Sequence, residues 1–264
     1  MSAHRVLLLR HGETHGYFDD VGLTDRGEEQ ARTAGTSLAT TLPRAARVRL
    51  PHAPTARATA TAVTLRAALL AALDPEADVV VGPLEPDERF DSIRFLHGDR
   101  ARESSAVAAD RLRLPPDAPR PDWAVEYDRF DTDYGAGSRL GGPIDHWMTA
   151  VGRHFEPPQV VVYRAWAGIL ALAQEAEAVT TGPAVATGPA VALVSSHSAL
   201  LRAFVAAAVG HDPGEPANLE QVVVDVDLTG GTALLAFRDK QVLVELPQRP
   251  PPWISAEYLA PGVG

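Results

Sequence analysis

Three short polar clusters each follow an apolar run: Arg10 and His11 after residues 5–9, His52 to Arg57 after residues 48–50, and Ser196, His197 and Ser198 after residues 190–194. In an open parallel sheet the carboxyl ends of the strands line the ligand crevice, so residues far apart in sequence meet there. The residue types suit attack on phosphorus. A histidine nucleophile needs a neutral imidazole nitrogen aimed in line, cations on the non-bridging oxygens, and an acid to protonate the leaving alcohol. His11 can attack, Arg10, Arg57 and His197 can hold the oxygens, and a carboxylate in the acidic segment after Gly82 can donate the proton. Arginine suits the role because its planar fork bonds phosphate in bidentate fashion and keeps its charge.

The elements that must position these groups are legible as a βαβαβ pattern. Residues 5–9, 48–50 and 79–81 read as short buried strands, and helices are expected over about 24–42, capped by Thr24, and about 55–73. That alternation implies a three-layer αβα fold with a mostly parallel central sheet. After Gly82 the periodicity dissolves. Residues 85–157 are expected to form a cap or lid inserted into one domain spanning 1–264, with a single helix near 100–112. A helix over about 159–178, a strand at 190–194, a helix at 199–209 and closing strands at 222–228, 233–237 and 242–246 complete the pattern. The hexapeptide 181–186 is repeated as 187–192, which reads as a tolerated insertion in a surface loop whose second copy enters a strand. The Pro-rich stretch from 247 reads as irregular.

Bulk properties narrow the function. The chain of 264 residues has no cysteine, which excludes disulfides and thiolate chemistry. The net charge of −10 argues against nucleic-acid binding, which requires a basic face, but a small anion responds to the local field of a few converging cations. No apolar run has the length of a signal peptide or a membrane helix, so a cytoplasmic protein without membrane contact is expected. No HxxxH, HxH or Asp-rich spacing suggests a metal site, and no cofactor is expected.

The motifs together resemble the histidine phosphatase superfamily, in the branch containing cofactor-dependent phosphoglycerate mutases and their phosphatase relatives. The resemblance rests on Arg10-His11-Gly12-Glu13-Thr14, on Leu23-Thr24 through Gln30-Ala31 as an LTxxGxxQA motif, on Ala56-Arg57-Ala58-Thr59 as a helix start, and on Val194-Ser195-Ser196-His197. It implies that His11 is the phosphorylated histidine, Arg10 and Arg57 the phosphate-binding arginines, and His197 the second pocket histidine. The family acid lies in a loop after the third strand. Glu88 is the expected match, with Glu85, Asp87 and Asp91 as alternatives. Thr14 and Ser198 are expected substrate contacts, although Thr14 also reads as a brace for its loop, and His52 is expected near the crevice.

The departures from the family pattern bear on substrate identity more than on phosphoryl chemistry, and the short loop, the missing Asn and a Pro-rich cap with little regular structure imply hydrolysis of a small phosphorylated metabolite over mutase transfer. The loop after Thr14 is short, the Asn of RHGxTxWN is missing, Ser198-Ala199 stand where Gly-Gly is usual, and no GxWEG follows the acidic segment. Trp123, Tyr127, Phe130, Tyr134 and Trp147 are expected walls for a larger alcohol. A mutase and a phosphate-binding module without turnover are the alternatives. A homodimer is left open.

Overall fold

A computed structural model describes residues 4–16, 20–97, 100–115, 117–134, 142–150, 152–181, 188–247, 252 and 254, with backbone alone at 133, 134, 180 and 181. The central sheet has seven strands: β1 (His4–Arg10), β2 (Arg47–His52), β3 (Val80–Pro86), then β6 (Ala190–Ser196), β7 (Gln221–Asp227), β8 (Thr232–Phe237) and β9 (Lys240–Glu245), in the order β3-β2-β6-β1-β7-β8-β9. The pairs β3·β2, β2·β6 and β6·β1 are parallel, and the three closing strands are antiparallel.

Strand alternation builds the layers. Leu7 and Leu9 of β1 pack with Leu38 of α1 (Asp25–Thr41) and Leu65 and Leu69 of α2 (Ala56–Ala72) on one face. Val6 and Leu8 pack on the other face with Val161, Ala165 and Ile169 of α6 (Pro158–Thr181) and Leu200, Leu201 and Phe204 of α7 (Ser198–Val209). Because side chains two apart share a face, one apolar run serves both cores. Among the described residues no helix is long and apolar enough to cross a membrane.

Both helices of the first face start as expected. Thr24 caps α1, its hydroxyl accepting from the Gly27 amide at 3.0 Å, and Thr55 caps α2. Three expectations need correction. The third strand runs on to Pro86, past the point where the pattern dissolves, because β3 lies at the sheet edge, where prolines cost no ladder bond. Residues 100–112 are not one helix. Strand β5 (Arg100–Glu103) pairs antiparallel with β4 (Arg94–His97), burying Ala101 opposite Leu96, before α3 (Ser104–Leu112) begins. The segment 85–157 also holds α4 (Asp122–Tyr134) and α5 (Pro143–Thr149). The spacing of Trp123, Tyr127, Phe130 and Tyr134 is helical, a signal masked by the surrounding Asp and Pro. The second copy of the repeat enters β6, while 182–187 and most residues from 248 onward lie outside the described residues.

Candidate active site

The turn after β1 is fixed from several sides. The His11 amide donates to the Ser196 carbonyl at 2.8 Å, which extends the β1·β6 ladder by one bond and brings the ends of both strands together. Asn218 donates to the His11 carbonyl at 2.8 Å, and the Gly12 amide donates to Thr61 of α2 at 3.0 Å. The Glu13 amide donates to the Gln30 side chain of α1 at 2.9 Å, which explains the glutamine of the LTxxGxxQA motif. Thr14 donates its hydroxyl to the Gly22 carbonyl at 2.9 Å and so braces its own loop.

His11 and His197 meet edge to face, with ring centroids 5.2 Å apart. His11 Nδ1 lies 2.7 Å from the Gly12 carbonyl oxygen. That oxygen can only accept, so Nδ1 carries the proton and Nε2 keeps its lone pair. Burial, reinforced by the charges of Arg57 and Arg10, pushes the His11 imidazole down to about 3, although the Gly12 bond favours the protonated ring. Burial and the same arginines also hold His197 well below the ordinary histidine range. Both rings are neutral near neutral pH. The hydroxyl of Thr55 lies 3.3 Å from His197 Nε2, linking the second histidine to the start of α2.

Arg57, in the first turn of α2, is buried. Its Nη1 donates to Asp20 at 2.8 Å and its Nη2 to Glu103 at 3.2 Å, while its buried Nε has no partner among the described residues. Arg10 pairs with Glu215 at 3.0 Å and donates to the Pro216 carbonyl. His197 and Ser198 open α7, so the positive end of that helix faces the site.

His11, Arg57, His197 and Ser198 line one cavity of about 580 Å³, together with Ser92, Ser104, Arg202 and an apolar wall of Ile93, Tyr127, Phe130, Ile144 and Phe155. Arg10 is not among the described wall residues; it pairs with Glu215, which is. The structure does not bring every expected residue there. Glu88, expected as the proton donor, pairs with Arg94 at 3.3 Å and is not among the described wall residues, because the turn from Glu88 to Phe90 carries its side chain toward β4. Glu85 bonds Arg49, and Asp87 bonds Arg89 at 2.7 Å. Asp91 is buried against Arg94, and burial raises its carboxyl to about 7 despite the opposing charges of Arg164 and Arg94. Thr14 and His52 also lie off the wall; His52 Nδ1 is 2.9 Å from the Ala53 carbonyl oxygen. Of the expected aromatic walls, Tyr127 and Phe130 are placed there, Trp147 donates to the Glu156 carbonyl at 2.7 Å, Trp123 packs on His97, and the Tyr134 side chain lies outside the described residues.

Sequence reasoning missed Asp20, Asn218 and Glu215, which contact the expected residues from loops without a motif, and Glu103, which does so from the end of β5. It also missed Arg164, fully enclosed in α6, whose guanidinium bonds both oxygens of the buried Glu156 and the carbonyls of Arg89, Asp91 and Ser92. This one side chain sets the path of the chain entering the cavity wall. A fully buried arginine has no distinguishing mark in a single sequence. Among the described residues no three His, Asp or Glu side chains are grouped to hold a metal ion.

Residues 6–79 match the model of the histidine phosphatase superfamily (branch 1). No curated protein matches the chain. Among solved structures, a mycobacterial glucosyl-3-phosphoglycerate phosphatase is similar at 18% identity and a TM-score of 0.49, covering 86% of this chain and 92% of its own. YhfR of Bacillus stearothermophilus gives 20% identity and a TM-score of 0.49 over 86% and 93%. A mycobacterial hydrolase gives 21% and 0.46 over 84% and 92%. The matched segment holds the Arg10-His11-Gly12 turn, the Leu23-Thr24 cap and Arg57, and over that segment the chain is similar to the histidine phosphatase superfamily.

Proposed function

We propose that the chain is a metal-independent phosphomonoester hydrolase acting on a small phosphorylated substrate through a phosphohistidine on His11, with residues 85–157 serving as the cap over the site. The observation that carries this reading is the state of His11: a neutral ring, oriented by the Gly12 carbonyl, in a cavity shared with Arg57 and His197. A neutral Nε2 can attack phosphorus directly, and the Nδ1 proton on the Gly12 oxygen stabilises the phosphorylated, cationic ring that results. Arg57 and Arg10 supply the fixed positive charge that meets the phosphoryl oxygens, a role metals fill elsewhere.

The wall chemistry supports a bulky leaving group. A cavity of about 580 Å³ lined by Ile93, Tyr127, Phe130, Ile144 and Phe155 has room and apolar surface well beyond a three-carbon acid. Water then attacks the phosphohistidine and releases inorganic phosphate.

The test is to mix the protein with a phosphomonoester, quench in base and look for acid-labile, base-stable phosphate on His11. His11→Ala should carry no label and no turnover while keeping the wild-type melting curve. Undiminished turnover in that variant would sink the reading. Activity lost in EDTA and restored by a divalent cation would move the chemistry to a metal.

A further inference from the structure

Resting on the phosphohistidine reading, we propose that Glu103 is the proton donor to the leaving alcohol and the base for the attacking water. The structure sorts the carboxylates of the acidic segment by what holds them. Glu85, Asp87, Glu88 and Asp91 bond Arg49, Arg89, Arg94 and Arg94, none of which lines the cavity. Glu103, itself not among the described wall residues, bonds a cavity arginine, its Oε1 lying 3.2 Å from Arg57 Nη2, and of the two carboxylates on Arg57 it is the more enclosed, Asp20 being 35% exposed. Its Oε2 accepts from the Ser105 amide at 2.7 Å and from the Ser105 hydroxyl, which fixes the rotamer and leaves Oε1 on the Arg57 side. The side chain is 12% exposed. Its neighbour Ser104 lines the cavity and accepts at its carbonyl from the hydroxyl of Tyr127, another wall residue, at 3.0 Å. The carboxyl thus stands at the seam of β5 and α3, one guanidinium away from a phosphate held by Arg57.

The step balances. His11 Nε2 forms a bond to phosphorus as the ester P–O bond breaks, and the Glu103 proton passes to the departing alkoxide, releasing a neutral alcohol and leaving a carboxylate. That carboxylate then takes a proton from water, whose oxygen bonds phosphorus as the P–N bond breaks. Inorganic phosphate leaves, and both His11 and the Glu103 carboxylic acid are restored.

Glu215 is the competitor, since it lines the cavity and pairs with Arg10 at 3.0 Å. It is 46% exposed and lies also 3.7 Å from Arg202. The enclosed Glu103 is better shielded from exchange with solvent than Glu215 or the wall carboxylates Asp131 and Asp145, whose side chains are 32% and 52% exposed.

The experiment compares Glu103→Gln with wild type on an alkyl phosphate and on p-nitrophenyl phosphate, whose leaving group needs no proton. The expected loss is about 100- to 10,000-fold on the alkyl ester and under about 10-fold on the nitrophenyl ester. Glu103→Asp, which keeps the carboxyl, should lose less on the alkyl ester, and it provides the measurement should the Gln variant not fold. Equal losses on both esters would reduce Glu103 to a support for Arg57 and overturn the assignment. So would the same differential appearing in Glu215→Gln or Glu88→Gln instead. Absence of phosphohistidine in the wild type would show separately that the underlying reading had failed.

Discussion

Gly12 and Gly27 stand face to face: a Cβ on Gly12 would lie 2.5 Å from the Gly27 carbonyl oxygen, and one on Gly27 would lie 2.1 Å from the Glu13 carbonyl oxygen. The loop carrying His11 therefore rests directly on the backbone of α1. Neither glycine is needed for an unusual backbone angle. Both are needed because two main chains touch, and this contact, with the Gln30 bond to the Glu13 amide, sets the height of His11 above the sheet.

Gly27→Ala should therefore damage the site from a distance. Relieving an overlap with backbone atoms costs about 1–3 kcal/mol of stability, and a displacement of the loop by about 1 Å costs roughly 100-fold in rate. Urea melts and kcat on one substrate would measure both. A variant with wild-type kcat would show that the loop finds its place without this contact.

The same contact explains what could be read from the sequence. Arg10, His11, Arg57 and His197 sit at strand and helix ends where a local pattern, an apolar run or a threonine cap, fixes the position of the next residue. The order β1, α1, β2, α2 follows from those signals alone. The donor segment carries no such signal. Glu88 lies within three residues of Glu85, Asp87 and Asp91, and the path of this stretch is held by Arg164, whose bonds to the carbonyls of 89, 91 and 92 arrive from a helix more than 70 residues away. Glu103 ends β5, inside the stretch 100–112 that reads from the sequence as one helix, and the pairing with β4 that places it leaves no local mark.

His11 should stay neutral far into the acid range. Its folded value of about 3 lies below the ordinary 6.5. The stability linked to this ring is therefore present above pH 6.5 and is lost as pH falls toward 3, since the unfolded chain takes up the proton first. In a titration followed by imidazole NMR, the His11 signals should not move between pH 8 and 4.5, and the acidic limb of kcat/KM should follow the second ionisation of the substrate phosphate, about 6. A His11 midpoint near 6.5 would contradict the buried, neutral nucleophile.

The pair Arg164 and Glu156 should behave as a unit. Removing one partner leaves a buried charge without its counter-ion, a loss of about 3–5 kcal/mol. Arg164→Met should thus cost more than the double variant Arg164→Met/Glu156→Leu, which leaves no orphan charge. Both should lower activity, because the chain at 89–92 loses its anchor. Chemical melts of the wild type, Arg164→Met, Glu156→Leu and the double variant give the coupling energy directly, and a double variant worse than the sum of the two singles would contradict the account.

The last expectation concerns which phosphate ester is cleaved. An aromatic alcohol burying about 150 Å² against Tyr127, Phe130, Ile144 and Phe155 would gain up to about 4 kcal/mol in transfer terms. Ordering of the ligand and cap consumes part of that. A preference of at least about tenfold in kcat/KM for 1-naphthyl phosphate over 3-phosphoglycerate is still expected. The three-carbon acid leaves most of the wall unfilled. Ile144→Asp should erase that preference mainly through KM on the naphthyl ester, since it places a charge on the apolar wall without touching His11 or the arginines. Phosphate should be released in step with alcohol, and 3-phosphoglycerate supplied with catalytic 2,3-bisphosphoglycerate should give free phosphate with little 2-phosphoglycerate, because an open cavity of this size lets water reach the phosphohistidine before a three-carbon intermediate can rebind. Rapid isomer interconversion without phosphate release would make the chain a mutase, and a naphthyl preference that survives Ile144→Asp would move the leaving group to another wall.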